Sequence, residues 1–142
     1  MWYARIKQRG FTLLELLVVI SLIGLLVSIG AVSYTSAQKK SRDARRKGDL
    51  KALQNGFEQY FSANTAYPKD DTEAVAAVIG GLPTDPKNTG TTVYTINYDA
   101  TDGAAYCICG LLESDSGNAS GLPGGTTCSW GTGSYFCVSN LQ

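Results

Sequence analysis

Hydrophobic and polar positions divide the chain into three stretches with different periods. From Phe11 to Tyr34 the sequence FTLLELLVVISLIGLLVSIGAVSY has no polar face, and its one charge is Glu15. A helix rises about 1.5 Å per residue, so roughly 20 residues cross a hydrocarbon core of about 30 Å. These twenty-four residues are therefore long enough to span a membrane. From Ala37 to about Ala63 there is no proline, and Leu50, Leu53, Phe57, Tyr60 and Phe61 recur at steps of three and four. That spacing predicts a helix with one apolar stripe. Lys39, Lys40, Arg42, Arg45, Arg46, Lys47 and Lys51 occupy much of its remaining surface. Gly48 and Gly56 each weaken such a helix by about 1 kcal/mol and favour local bending. Farther on, the period falls to two. Val93 to Tyr98 alternates, with Tyr94, Ile96 and Tyr98 on one face. Asp102-Gly103 is a turn signal and Ala104 to Leu112 a second extended run, which together predict a hairpin; Tyr135 to Val138 is a third strand. Before the hairpin, Pro68 stops the long helix. Thr72 to Ile79 reads as a short helix capped by Thr72 and stopped by Gly80-Gly81, and Pro83 and Pro86 stiffen the loop after it. The predicted class is α+β: a long helical spine, membrane-spanning in its first half, packed on a small antiparallel sheet.

Charge sharpens this division. The formal net charge is zero, yet residues 1–51 carry ten basic and three acidic groups, a net of +7. Residues 52–142 carry two lysines against nine acids, a net of −7. Opposite signs suggest different surroundings for the two parts, or copies that attract head to flank when they stack. The cations between Lys39 and Lys51 are interleaved with Asp43 and Asp49, so they read as a solvated or subunit-facing helix surface; a nucleic-acid partner is not expected. Histidine is absent, which removes the commonest general base and metal ligand, and no nucleophile–base pair is visible. An anchored enzyme therefore ranks last, and a deep polar pocket would be its mark.

Arg5, Lys7 and Arg9 precede the apolar run and place the short stub in the cytoplasm, with the C-terminal domain outside, although the seven cations beyond the run pull a bare count the other way. An acid at the centre of a spanning helix costs on the order of 2.5–3.5 kcal/mol. Glu15 lies four residues from the start of the run, where it either reaches the headgroups or awaits a cationic partner. A secretory signal cut near Ser28-Ile29-Gly30 or Ala31-Val32-Ser33 is the alternative, but Glu15 and the length of the run argue against it. No cysteine lies near the segment, which excludes a lipidated N-terminus.

All four cysteines, Cys107, Cys109, Cys128 and Cys137, fall in the C-terminal domain and allow three pairings. Cys107 and Cys109 point to the same side of a strand, where neighbours rarely reach each other without distortion. Two bridges from the hairpin to the tail are expected, their pairing open, each stabilising by about 3 kcal/mol. A tetrathiolate zinc site is the rival, but spacings of one, eighteen and eight intervening residues lack the usual knuckle. Glu113, Asp115 and Asn118 in a Gly/Ser loop could hold calcium without an EF-hand pattern, and Asn118-Ala119-Ser120 matches a glycosylation acceptor.

The string Arg9-Gly10-Phe11-Thr12-Leu13-Leu14-Glu15, followed by the apolar run, resembles the class III signal of type IV prepilins and type II secretion pseudopilins. The resemblance implies a membrane peptidase that cuts between Gly10 and Phe11, and methylation of Phe11 as the new first residue. It implies that Glu15, fifth in the mature chain, neutralises the terminal amine of a neighbouring subunit. Cleavage creates an ammonium in a lipid-embedded helix, and a buried charge needs an opposite one. The implied organisation is a leader at 1–10, a transmembrane and filament-core helix at 11–34, an amphipathic continuation at 35–63 and an extracytoplasmic domain at 64–142. The order of long helix, Tyr67-Pro68, short acidic helix and Leu82-Pro83-Thr84-Asp85-Pro86 is similar to the major pseudopilins. The chain departs from the family in having Val32 where a proline is frequent, and a Cys- and Gly-rich end where major pseudopilins tend to have an acidic calcium loop. The implied function is a structural filament subunit with no required cofactor. Its partners would be further copies, a prepilin peptidase, an inner-membrane assembly platform and, before assembly, the membrane. A minor adhesive or DNA-capturing pilin is the alternative, with its activity in the 111–134 loop and an exposed cluster around Trp130 and Tyr135. Pili, DNA uptake and secretion share this architecture, and the fold alone does not separate them.

Overall fold

The computed structural model describes residues 10–114 and 116–142. The chain divides into two compact units, one ending at Ala37 and one running from Gln38 to Gln142. Among the described residues, helix α1 (Leu13–Asn64) supplies all of the regular structure of the first unit and the start of the second. In the first unit every described residue is exposed. In the second, the stripe predicted at Leu50, Leu53 and Phe57 is fully buried, and Phe61 packs against it. Tyr60 stands apart from that core and pairs with Glu73, which, after burial, raises its phenol pKa. The helix ends at Asn64, where Thr65 turns to φ 58°.

Helix α2 (Asp71–Ala77) starts and stops earlier than the sequence suggests. Its cap is Asp70 and not Thr72: the extended Asp70 accepts the Glu73 N–H at 2.9 Å, while the Glu73 carboxylate accepts the Lys69 N–H at 2.9 Å. A carboxylate one residue before the helix reaches that free amide, and a threonine already inside the first turn does not. Gly56 has a packing role here. A Cβ on it would lie 2.9 Å from the Ala77 carbonyl, so its bare backbone lets the end of α2 close onto α1.

Five strands follow: β1 (Thr95–Tyr98), β2 (Tyr106–Leu111), β3 (Gly117–Ala119), β4 (Trp130–Gly133) and β5 (Tyr135–Ser139). They form one antiparallel sheet in the order β1-β2-β5-β3-β4. The expected hairpin pairs Tyr98 with Tyr106 and Thr95 with Cys109. Residues 106–110 of β2 are buried on both faces. Tyr106 and Ile108 join Leu50, Leu53, Phe57 and Val138 in the main core. Cys107 and Cys109 face a second, smaller core with Ala119, Cys128 and Cys137. Strands β3 and β4 are not foreseen from the sequence, because they are short and glycine-rich. Gly117 is nevertheless required, since a Cβ there would collide with the Tyr135 carbonyl.

Candidate functional site

The residues singled out at the N-terminus stand at the mouth of α1. Gly10 and Phe11 precede it and are exposed, Phe11 to 86%. Thr12 and Glu15 close a capping box. The Glu15 N–H donates to Thr12 Oγ1 at 3.2 Å, and Glu15 Oε2 accepts the Thr12 N–H at 2.9 Å and the Thr12 hydroxyl at 3.0 Å. Both contacts fall on one carboxylate oxygen, so Oε1 has no partner among the described residues. Glu15 thus orders the helix start and still has an oxygen to offer an incoming cation. Arg5, Lys7, Arg9 and the rest of residues 1–9 lie outside the described residues.

Past this cap the helix presents Leu13, Leu14, Leu17, Ile20 and Leu26, each 60% exposed or more, in an apolar stretch with no buried residue among the described ones. The stretch is long and apolar enough to cross a membrane. Its hydroxyls are turned inward to the backbone: Ser21 donates to the Leu17 carbonyl and Ser28 to the Leu25 carbonyl, both at 2.8 Å, and Thr35 to the Val32 carbonyl at 2.9 Å. Such bonds satisfy polar groups that an apolar environment would leave unpaired.

The second unit leaves Lys39, Lys40, Arg45 and Lys51 exposed, as the reading of a solvated or subunit-facing surface expects, and corrects that reading at Arg42 and Arg46. Arg46 and Asp43 are fully buried. Arg46 forks onto Asp85 at 2.7 and 3.0 Å and sends Nη1 to both Asp43 and Glu113 at 2.8 Å. Arg42 holds Glu113 with two bonds of 2.8 and 2.7 Å, and Lys87 approaches it at 3.1 Å. Asp43 in turn accepts the Glu113 and Ser114 N–H groups and the Ser114 hydroxyl. The bonds from Arg42 and Arg46 hold the Glu113 carboxyl far below the usual range. Burial works to raise Asp43 and Asp85, but the hydrogen bonds from Glu113, Ser114 and Arg46, and from Arg46, Lys87 and Asn88 respectively, outweigh it and both are lowered. Every buried side-chain nitrogen and oxygen among the described residues has a partner. The cluster clamps α1 to the Leu82–Pro86 loop and to the segment after β2. Its available sequence signals are the i,i+3 pair Asp43/Arg46 and an acid, Asp85, one residue before a proline.

Phenols tie the lower half of α1, and the start of α2, to the rest of the unit. Tyr67 and Tyr106 both donate to Glu58, Tyr94 donates to Asp49 at 2.8 Å and Tyr98 to Asp71 at 2.8 Å. Burial, followed by the Glu58 bond, raises Tyr67 to about 12.

The cysteines form two bridges from hairpin to tail, and the pairing left open by spacing is Cys107–Cys128 and Cys109–Cys137. These bridges overturn the zinc alternative, because sulfurs joined to each other offer no thiolate to a metal. The calcium reading loses two of its three ligands. Glu113 is held by Arg42, Arg46 and Lys87; Asn118 Oδ1 accepts the Cys137 N–H at 2.7 Å while its Nδ2 donates to the Cys137 carbonyl at 2.9 Å. Asp115 lies outside the described residues. The glycosylation pattern falls on that same Nδ2 and on a strand, not a loop. Trp130 is 53% exposed on the edge strand β4, but Tyr135 packs against the disulfide cluster, so the two do not form one exposed aromatic cluster. An open concavity of about 440 Å³ includes Asp71 and Asp85, whose carboxylates already serve Tyr98 and Arg46.

Residues 5–31 match the prokaryotic N-terminal methylation motif. The chain is 33% identical over 82 residues to the type II secretion system core protein G of Vibrio cholerae, covering 58% of this chain and 56% of that one. Against the core protein G of Escherichia coli it is 40% identical over 62 residues, 44% of this chain and 43% of the relative. Against the type IV major pilin protein PilA of Myxococcus xanthus the identity is 36% over 61 residues, 43% and 28% of the two chains. The chain thus spans about half the length of the core protein G relatives it matches, and no solved structure matches it. Through the methylation motif at residues 5–31, the long helix packed on an antiparallel sheet and these partial matches, the chain is similar to type IV pilins and type II secretion pseudopilins.

Proposed function

We propose that the chain is a structural subunit of a type IV pilus-like or pseudopilus filament, cut by a prepilin peptidase and assembled through its N-terminal helix. The observation that carries this reading is the first unit: an apolar helix with every described residue exposed. Apolar surface of that extent is stable only against lipid or other apolar helices. The membrane holds it first, with the C-terminal domain outside the cytoplasm, and neighbouring copies cover it after extraction by an inner-membrane assembly platform. Hydrolysis of the Gly10–Phe11 bond frees the Phe11 amine, which is then methylated. Glu15 Oε1 accepts the ammonium of the next subunit while Oε2 keeps the capping box. Chemistry is done to this chain and not by it, so no catalytic residue is assigned.

Intact-mass and N-terminal analysis of protein expressed with and without a prepilin peptidase tests this. Loss of residues 1–10 and gain of one methyl on Phe11, only with the peptidase, is the expected result. A chain left whole, or cut near Gly30 or Ser33, makes it an ordinary anchor or secreted domain and removes the roles given to Phe11 and Glu15.

A further inference from the structure

In the unit from Gln38 to Gln142, unmatched charge is sorted by end. Lys39, Lys40, Arg45 and Lys51 are exposed on the early turns of its helix. Lys39 and Lys40 have no partner among the described residues, Lys51 donates only to Gln54 at 3.0 Å, and Arg45 approaches Asp49 no closer than 3.8 Å. Of the acids on or beside these turns, Asp43, Asp85 and Glu113 are taken by Arg46, Arg42 and Lys87, and Asp49 accepts the Tyr94 hydroxyl. Past the far end of the helix lie Asp70, Asp71, Glu73, Asp99 and Asp102. They are brought to one end by the Tyr98–Asp71 bond between β1 and α2 and by Lys69, whose Nζ donates to the Thr101 carbonyl at 3.0 Å. Their hydrogen bonds come from amides and phenols, such as Glu73 N–H to Asp70 and Ala104 N–H to Asp99, and none of the five forms an ion pair among the described residues.

Resting on the filament reading, we propose that these two surfaces dock on each other between copies, the acidic end of one subunit against the basic turns of another. Charge complementarity names the partner, because each copy brings both surfaces in similar number. A contact between unlike surfaces is heterologous, and repeated without closure it builds an open filament. Anionic headgroups would use the basic turns alone and leave the acidic end unmatched. At about 1.5 Å per helical residue, the span from Lys39–Lys51 to Asn64 sets an axial offset of roughly 20–40 Å between the docked copies. Exposed charges separated from their partners by solvent are screened over about 10 Å at 0.1 M salt, so the contact weakens with ionic strength.

The test compares filaments sheared from cells making the full chain with three variants: Lys39→Glu/Lys40→Glu, Asp70→Lys/Asp102→Lys, and all four together. Each double reversal is expected to lower filament yield at least tenfold, and the quadruple variant to recover most of it. Carbodiimide treatment of wild-type filaments from mixed isotopically light and heavy cells is expected to join Lys39 or Lys40 to the acidic set across copies. The Trp130 fluorescence unfolding midpoint of each detergent-solubilised variant keeps misfolding distinct from lost docking. Normal yield in both doubles, or no heavy–light cross-link at these residues, overturns the proposal and leaves the filament reading standing. Loss in the basic double alone, with weaker binding to phosphatidylglycerol vesicles, assigns the basic turns to lipid and also overturns it. No filaments from the wild-type chain in a peptidase-positive cell defeats the filament reading itself.

Discussion

Within one helix, residues 13–37 expose leucines and valines, whereas a few turns later the second unit buries an arginine and an aspartate. Judged by residue type alone the assignment should be the reverse. The difference lies in who supplies the partner. Arg46 finds three carboxylates inside the chain, two of them 39 and 67 residues distant, so its desolvation is offset by charge-assisted bonds. Leu17 and its neighbours find no covering surface among the described residues, so their burial requires another molecule. The sharpest way to break this comparison is Arg46→Met. It removes the cation shared by buried Asp43 and Asp85 and by Glu113, leaving the two aspartates only their amide and hydroxyl donors, and the denaturation midpoint should fall by the equivalent of about 3–5 kcal/mol. A loss below 1 kcal/mol, read by Trp130 fluorescence in urea, means that the cluster is hydrated and the contrast is false.

A matched pair of leucine truncations separates the two regions directly. Leu53 is fully buried against the sheet, and Leu53→Ala should cost about 2–5 kcal/mol as transfer and cavity terms add. Leu17 is 61% exposed, and Leu17→Ala in detergent should leave the domain's urea midpoint within about 0.5 kcal/mol of wild type. Equal effects would mean that the first unit contributes to the stability of the second.

What was legible in the sequence follows the same division. The apolar run announces itself by unbroken hydrophobicity, and the Leu50/Leu53/Phe57 stripe and the β1–β2 hairpin by local period, because each signal is carried by residues close together in the sequence. The disulfide ends were legible, but not their pairing, which depends on β5 lying beside β2 and placing Cys137 opposite Cys109. Arg46 was hard to single out because two of its three partners, Asp85 and Glu113, are distant in sequence and the i,i+3 pair with Asp43 alone does not mark burial. Strands β3 and β4 escaped because Gly117, Gly131 and Gly133 have no side chain to alternate. At Glu15 the motif is plain in the sequence, and the capping box with Thr12 has its own signal in the Thr-x-x-Glu spacing.

Acid provides a graded way to sharpen the contrast. Asp43, Asp85 and Glu113 all have folded-state pKa values below their ordinary ones of 3.8, 3.8 and 4.5. Depressed carboxyls contribute stability that is fully present above the unfolded values and is lost as pH falls through the folded ones. The urea midpoint should therefore be flat from pH 7 to about 5.5 and fall steadily below about 4.5. In Arg46→Met the two aspartates lose the cation that helps hold them down, so the same titration should be shallower. An unchanged slope would assign the acid sensitivity to other carboxyls, such as Asp99, which is lowered chiefly by backbone amides.

The smallest effect concerns the point where α1 stops. Thr65 holds φ 58° immediately after the last helical residue, with its N–H bonded to the Phe61 carbonyl at 2.7 Å. A β-branched residue is disfavoured in the left-handed region, and helices usually place glycine there. The side chain is exposed and its hydroxyl bonds only the adjacent Asn64 carbonyl, so little packing is lost on removing it. Thr65→Gly should relieve about 1–2 kcal/mol of local cost and forfeit part of that to the freer unfolded chain, for a net gain of about 0.5–1 kcal/mol. Thr65→Ala deletes the hydroxyl but keeps the Cβ, and should gain less than the glycine variant. If alanine and glycine stabilise equally in urea, backbone conformation is not what Thr65 strains, and the helix end is fixed instead by Pro68, which already bars Tyr67 from helical geometry.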